Sequence, residues 1–570
     1  MKKLNFLDTG FLLAESREQP MHVGGVALYT LPDGADAQTF LHEIAGIMRD
    51  TDALQPPFGD RLKMGPLGLL GNVHWEADPD MDIEYHIRHS ALPGPGRYRE
   101  LFNLVSRLHS TLLDRKRPLW EMHLIEGLQN RQFAVYTKTH HAAVDGARSI
   151  HLSRSMLSNS ADARLQDSPL STASWERYRA TLGERPHRGL SDREIRNVAE
   201  VLKARFDSGA NLFSAVKRFA NAWAGNDDAL ALPFLKVPRS SINTSIDGAR
   251  RFVAQTWPFA RIHAVGKAFD GTFNDAVLAM CAGALRTYLQ NHTELPDESL
   301  KAMVPVSLRE EGDIDSSNAV AAISADLATN IADPARRFAA IQASMRAGKA
   351  FYKGMSAAEV QAVSMLMQIP GMLLMPLGLA SRLPPFNTVI SNVPGIRETM
   401  YWNGARLDGS YPASIVTEGV ALNITLVSYD QNVDFGIMAC RRSIPQAQRI
   451  IDYMEDALTE LEDAAGLASA KKAAKPKRSA KATSKAKSKA KAAPKAKAAA
   501  KTKAKPKAKV RAKPKAKAKA QAKAQPKPRA KTKAKTKAKT KAKVKTGAKA
   551  RAKPRSVAGK KTTASRGRRK

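Results

Sequence analysis

Residues Tyr136 to Ser149 read YTKTHHAAVDGARS. An apolar, β-branched and aromatic run ends here on two adjacent histidines, followed by an aspartate and a glycine. In an extended chain successive side chains point to opposite faces. His140 and His141 therefore cannot serve one purpose: one turns inward and the other turns away. Metal chelation by the pair is disfavoured on the same ground, because chelation needs ligands that converge. No H-E-x-x-H pattern or Cys/His set supplements them. Gly146 allows a tight turn that a side chain would block.

Working outward, the residues before the histidines form half of an expected hairpin. LWEMHLIEGL (119–128) and QFAVYTKTH (132–140) are β-like runs separated by Gln129, Asn130 and Arg131. GGVALYTL is a further strand. DAQTFLHEIAGIMRD is an amphipathic helix with Asp36 as N-cap. YRELFNLVSRLHSTLLD is another helix, with Leu101, Leu104, Val105 and Leu108 on one face. Between about 155 and 240 the chain turns polar and helical, SDREIRNVAEVLKARF being its clearest helix. A second mixed unit follows, with strands at RRFVAQTWPF, KAMVPVSL, AVAAISADL and NTVISNVPG. FNDAVLAMCAGALRTYLQN is a long helix. ALNITLVSYDQNVDFGIMA is a hairpin turning at Tyr429–Asn432, and IPQAQRIIDYMEDALTELEDAA is a closing helix. The expected organisation is an N-terminal unit (1–180), a helical connector (181–240), a C-terminal unit (241–465) and a tail (466–570).

The net charge of +38 in 570 residues suggests a nucleic-acid binder until its distribution is considered. Residues 471–570 hold 43 of the 91 Lys and Arg and none of the 53 Asp and Glu, leaving 48 basic against 53 acidic side chains elsewhere. The body is slightly acidic, and the basicity belongs to the tail. Lys-Ala alternation with scattered Pro offers no apolar face to bury, so the tail is expected to be disordered. Cys281 and Cys440 are too few for a disulfide framework, and a reducing compartment is the default expectation. The N-terminus lacks the h-region of a signal peptide. The uncharged segment VQAVSMLMQIPGMLLMPLGLAS (360–381) is long enough to span a bilayer, but its prolines and glycines oppose one regular helix. Core packing, a tunnel lining and an interfacial pair of short helices all suit it.

On residues alone, the histidine stretch permits an imidazole acting directly as general base, since its ordinary pKa lies near working pH. A structural strand end is the commoner outcome for such a composition. No G-x-S-x-G elbow, P-loop or dinucleotide fingerprint offers a competing chemistry.

HHAAVDG (140–146) matches the H-H-x-x-x-D-G motif of the CoA-dependent acyltransferase superfamily, which includes chloramphenicol acetyltransferase and peptide-synthetase condensation domains. PLWEMHLIEGL (118–128), FNDAVLAMCAGALR (273–286) and NTVISNVPG (387–395) narrow the resemblance to the bacterial wax ester synthase/diacylglycerol acyltransferase family. MHVGGVALY and VPVSLR also fit. Six blocks in order across residues 1–465 carry it, and the tail lies outside. The resemblance implies an α/β (α+β) architecture of two chloramphenicol acetyltransferase-like domains with mixed sheets and a tunnel between them. It also implies transfer of a long-chain acyl group from acyl-CoA to diacylglycerol, giving triacylglycerol, or to a fatty alcohol, giving a wax ester. Acyl-CoA is then a substrate, with no cofactor and no metal. His141 is the implied general base, with His140 supporting it, Asp145 orienting the loop through a salt bridge (Arg309 a candidate partner) and Gly146 turning it. Asn274 supports the reaction centre, and Asn392 and Trp120 are weaker candidates for substrate contact.

Nucleic acid, anionic membrane and acidic lipid-body surfaces are all adequate partners for the tail, whose Ala-Lys-Pro-Lys repeats resemble histone H1-like tails. The resulting expectation is a cytoplasmic enzyme peripherally attached to a membrane or lipid body. The alternatives are a non-catalytic, granule- or nucleic-acid-associated protein and an acyltransferase for a polar acceptor.

Overall fold

The computed structural model describes residues 2–4, 6–51, 53–66, 68–144, 146–182, 231–307, 320–353, 355, 360, 363 and 381–467. Asp145, Arg309, the helix expected at 191–206, nearly all of 360–381 and the basic tail lie outside the described residues.

In chain order the first half comprises β1 (Lys2–Lys3), α1 (Phe6–Ala14), β2 (His22–Thr30), α2 (Ala37–Arg49), β3 (Asp60–Gly65), β4 (Gly68–Ala77), α3 (Ile83–His86), β5 (Ile87–Ala91), α4 (Tyr98–His109), β6 (Trp120–Glu126), β7 (Gln132–His140), α5 (Gly146–Ser155) and α6 (Thr172–Thr181). The second comprises β8 (Arg250–Pro258), α7 (Phe259–Ala268), α8 (Phe273–His292), β9 (Lys301–Ser307), β10 (Val320–Asp326), α9 (Pro334–Tyr352), β11 (Thr388–Val393), β12 (Tyr401–Trp402), β13 (Ala405–Ala413), β14 (Leu422–Tyr429), β15 (Asn432–Cys440) and α10 (Ala447–Ala464).

Local chemistry accounts for most of these boundaries. Asp36 caps α2 by accepting from the Thr39 N–H at 2.9 Å. The β6–β7 hairpin turns through Asn130 and Arg131, both in the left-handed region with φ of 60° and 56°. Helix α8 opens with a capping box in which Thr272 and Asp275 satisfy each other's backbone N–H groups. Helix α4 stops at His109, earlier than the apolar spacing predicts, because Lys138 takes the Leu108 and Thr111 carbonyls.

Among the described residues two six-stranded mixed sheets result, in the orders β12-β13-β2-β7-β6-β5 and β10-β9-β11-β14-β15-β8. Only β5–β6 is parallel in the first, and β9–β11 and β11–β14 in the second. A small antiparallel sheet, β1-β4-β3, stands apart. The architecture is thus the expected mixed α/β pair. Its connectivity holds a surprise: β12 and β13 come from the second half of the chain yet pair in the first sheet, Ala405–Ala413 running antiparallel to β2.

That exchange welds the two sheets together. A Cβ on Gly436 of β15 would lie 1.8 Å from the Pro412 carbonyl oxygen of β13, so only glycine permits this approach. The buried Asp434 carboxylate accepts from the Ser410 N–H at 2.7 Å and from Thr256 Oγ1 at 2.6 Å, joining β13 to β15 and β8. A core cluster spans the seam, with Val26, Ile125 and Tyr136 of one sheet packed with Phe252, Ala254 and Met438 of the other. Both sheets lie within one compact unit, Met1–Ser479.

Candidate active site

Strand β7 carries Tyr136, Lys138 and His140 on one face, and all three are fully buried. Lys138 Nζ lies 3.2 Å from a Glu121 oxygen and donates to the Leu108 and Thr111 carbonyls at 3.2 and 3.1 Å. Burial would raise the Glu121 carboxyl, but His123, Lys138 and Arg88 outweigh it and bring it down to about 2. Burial lowers the Lys138 ammonium, opposed by the same carboxylate. Beside them His22 Nε2 donates to the His109 carbonyl at 2.9 Å, and His109 Nδ1 meets the Tyr136 hydroxyl at 2.8 Å. Burial pushes His22 well below its ordinary value and His109 down to about 3, so both rings are neutral at pH 7. The strand leading to the histidine pair therefore rests on a buried polar network.

His140 ends this face. It stands opposite His22 in the β2–β7 ladder, and its backbone N–H donates to the Leu119 carbonyl at 2.9 Å. Its Nδ1 accepts from the Ala142 N–H at 3.1 Å, which leaves Nε2 as the ring's donor. That atom faces Glu15 Oε1 at 3.4 Å. Glu15 is itself buried. Its Oε2 accepts from Arg115 Nε and Nη2 at 3.0 and 2.8 Å, and its Oε1 from the Met21 N–H at 3.2 Å. Burial would raise its carboxyl, but contacts with His140, Arg115 and Met21 outweigh that and hold it below the ordinary value.

His141 is placed differently. Its N–H donates to the Met21 carbonyl at 2.9 Å, and its ring, only partly buried, stacks on Phe11 with centroids 4.2 Å apart and planes 20° from parallel. The chain then turns, the Ala143 N–H returning to the His140 carbonyl at 2.9 Å, and Gly146 opens α5. Helix α1 with the residue following it thus touches both rings, Phe11 holding one and Glu15 the other. Sequence reasoning missed Phe11, Glu15 and Arg115. Nothing in an isolated FLLAE segment marks a partner 125 residues away.

The amide pair joins helix α8 to strand β11 of the second sheet. Asn274 sits in the first turn of α8, where Thr272 and Asp275, not Asn274, form the cap. Asn392, in β11, donates from Nδ2 to Asn274 Oδ1 at 2.6 Å, while its own Oδ1 is buried without a described partner. Two blocks 118 residues apart thereby meet. Gly395 is required by crowding rather than by a turn, since a Cβ there would lie 1.8 Å from the Ser428 carbonyl oxygen. Trp120 belongs to the core. It is 2% exposed, donates Nε1–H to the Phe58 carbonyl at 2.8 Å and stacks on His86 at 4.6 Å. Among the described residues no cluster of three His, Cys, Asp or Glu could hold a metal ion. Cys281 and Cys440 are free and buried, and burial pushes the Cys281 thiol up to about 12.

Residues 4–277 match the wax ester synthase/diacylglycerol acyltransferase catalytic domain, and residues 316–462 match the C-terminal domain of the same family. The chain belongs to the wax ester synthase/diacylglycerol acyltransferase family. It is an acyltransferase. An O-acyltransferase of Acinetobacter baylyi is 37% identical over 463 residues, covering 81% of this chain and 97% of its own. A protein of Mycobacterium tuberculosis named as a diacylglycerol O-acyltransferase is 45% identical over 462 residues, 81% of this chain and 99% of its own. The solved family member from Marinobacter aquaeolei VT8 is 39% identical with a TM-score of 0.64, covering 82% of this chain and 100% of its own. A condensation domain of the calcium-dependent antibiotic synthetase, 15% identical with a TM-score of 0.51 over 82% of this chain and 97% of its own, shares the fold.

Glu15→Gln should cost about 2 kcal/mol in urea unfolding at pH 7, since Arg115 loses its charged acceptor. A carboxyl held below its ordinary value of 4.5 stabilises the fold above that pH and loses the contribution as the pH falls through the folded pKa. The wild-type chain should accordingly weaken more steeply than the variant below pH 4.5.

Proposed function

We propose that this enzyme moves a long-chain acyl group from acyl-CoA to diacylglycerol or a long-chain alcohol, with His141 as general base. The observation that carries the reading is the division within the histidine pair. His140 has Nδ1 occupied by the turn and Nε2 against Glu15, whereas His141 keeps a partly exposed ring braced on Phe11. In the proposed step His141 takes the acceptor's hydroxyl proton as its oxygen attacks the thioester carbonyl carbon. The tetrahedral intermediate then expels the CoA thiolate, which receives the proton from the imidazolium. No acyl-enzyme forms.

The Asn392–Asn274 bond supports a role for the Asn274 amide N–H groups as oxyanion donors, because Asn392 engages the Asn274 oxygen and orients its nitrogen. Asn392 would then position rather than contact the oxyanion. Asp145 keeps its assignment as loop organiser, and a tunnel between the halves, with CoA and the lipid acceptor entering from opposite sides, belongs to the same proposal. The tail, with 43 positive charges and no acidic residue in 471–570, would hold the enzyme peripherally at a polyanionic surface. That binding should weaken steeply with salt.

Incubation of the full chain with labelled palmitoyl-CoA and diacylglycerol or hexadecanol, followed by separation of neutral lipids, tests the reading. Labelled triacylglycerol or wax ester is expected. Labelled product only with a polar acceptor would overturn the lipid assignment.

A further inference from the structure

We propose that the face built from the end of α1, the β3–β4 hairpin and the segment after α4 docks on a lipid surface of uncharged or zwitterionic headgroups, presenting the histidine turn to lipid-borne acceptor. This rests on the reading of His141 as acting on a lipid alcohol. A satellite core formed by Leu4, Leu12, Leu62, Val73, Leu113 and Leu119 includes Ala142 of the histidine turn. Three of its members have an exposed apolar neighbour: Leu12 has Leu13 (49% exposed), Leu62 has Met64 (42%) and Leu113 has Leu112 (41%). Isolated exposed leucines are ordinary on soluble proteins. Here three of the five large exposed apolar side chains described gather around one small core.

The hairpin supplies an independent indication. Residues 64–73, MGPLGLLGNV, carry no charge across a turn, where polar residues normally predominate. Four cations near it pair within the protein: Lys63 with Glu76 at 2.6 Å, Arg61 with Asp78 at 3.1 Å, Arg117 with Asp82 at 3.2 Å and Arg115 with Glu15 at 2.8 Å. These four pairs neutralise charge beside the apolar tips, which suits an uncharged lipid surface. Among the described residues no helix is long and apolar enough to cross a membrane.

The test is flotation of the full chain with phosphatidylcholine vesicles containing diacylglycerol, in about 0.5 M salt to screen the tail. The wild type should float. A variant carrying Leu13→Ser, Met64→Ser and Leu112→Ser should partition about a hundredfold more weakly. It should lose turnover on vesicle-borne diacylglycerol while keeping esterification of dissolved hexanol and its melting temperature. If the triple variant melts lower, the three single exchanges carry the comparison, each expected to weaken flotation severalfold. Equal flotation of variants and wild type, or flotation only with anionic phosphatidylglycerol at low salt, would overturn the proposal. Retained flotation contrasts with no ester formed from any alcohol would instead remove the acyl-transfer reading and leave the docking face standing.

Discussion

His141→Ala should reduce acyl transfer by about 10²–10⁴-fold, while His140→Ala keeps partial activity. The asymmetry follows from what each ring touches. Without His141 the acceptor hydroxyl loses the group proposed to take its proton, and Phe11 cannot substitute. Without His140 the Ala142 N–H loses its acceptor and Glu15 loses one of its partners, yet Arg115 still pairs with that carboxylate. The turn would loosen but stay in place. His140→Ala should also unfold more easily, because removing a fully buried ring leaves both a cavity and an unsatisfied N–H. Initial rates with palmitoyl-CoA, alongside urea unfolding of each variant, separate the two roles. An inactive His140→Ala with an active His141→Ala would reverse the assignment.

Lys138→Met should cost about 3 kcal/mol in folding free energy, the largest stability effect expected of a single exchange on this strand. The methionine nearly preserves volume, so the loss comes from Glu121, left in the interior with only Arg88 and His123, and from the Thr111 carbonyl, which loses Lys138, while the Leu108 carbonyl keeps the Thr111 hydroxyl at 2.8 Å. Adding Glu121→Gln should restore part of the loss, since removing both charges is cheaper than stranding one. The pH dependence has a definite sign. A carboxyl brought down to about 2 from 4.5 stabilises the fold fully above about pH 4.5, and the contribution disappears as the pH falls toward 2. Denaturation of wild type and variant across that window should show the wild type losing more. A variant as stable as wild type at pH 7 would mean the network contributes nothing net.

Much of the fold was legible because its signals are local. The Asp36 cap, the Asn130–Arg131 turn, the long apolar α8 and the β14–β15 hairpin each depend on residues within a few positions of one another. Other elements left no such mark. The β3–β4 hairpin has the glycine-rich stretch MGPLGLLGN, which lacks period-2 alternation, and β5 is a five-residue parallel partner of β6 without a turn beside it. Strand β13, ARLDGSYPA, contains Gly409 and Pro412 and pairs with a strand about 380 positions earlier.

By itself the sequence determined the mixed α/β class, the family blocks, the confinement of the net positive charge to the last hundred residues and the rule that neighbouring histidines must diverge. All of these follow from composition, short-range spacing or the pleat of an extended chain. Only the tertiary structure decided which histidine is enclosed, that Glu15 and Phe11 hold the pair, that Asn392 reaches Asn274, and that β13 crosses into the first sheet. Those outcomes depend on which distant surfaces come to exclude water together, and no property of a residue's own neighbourhood along the chain specifies that.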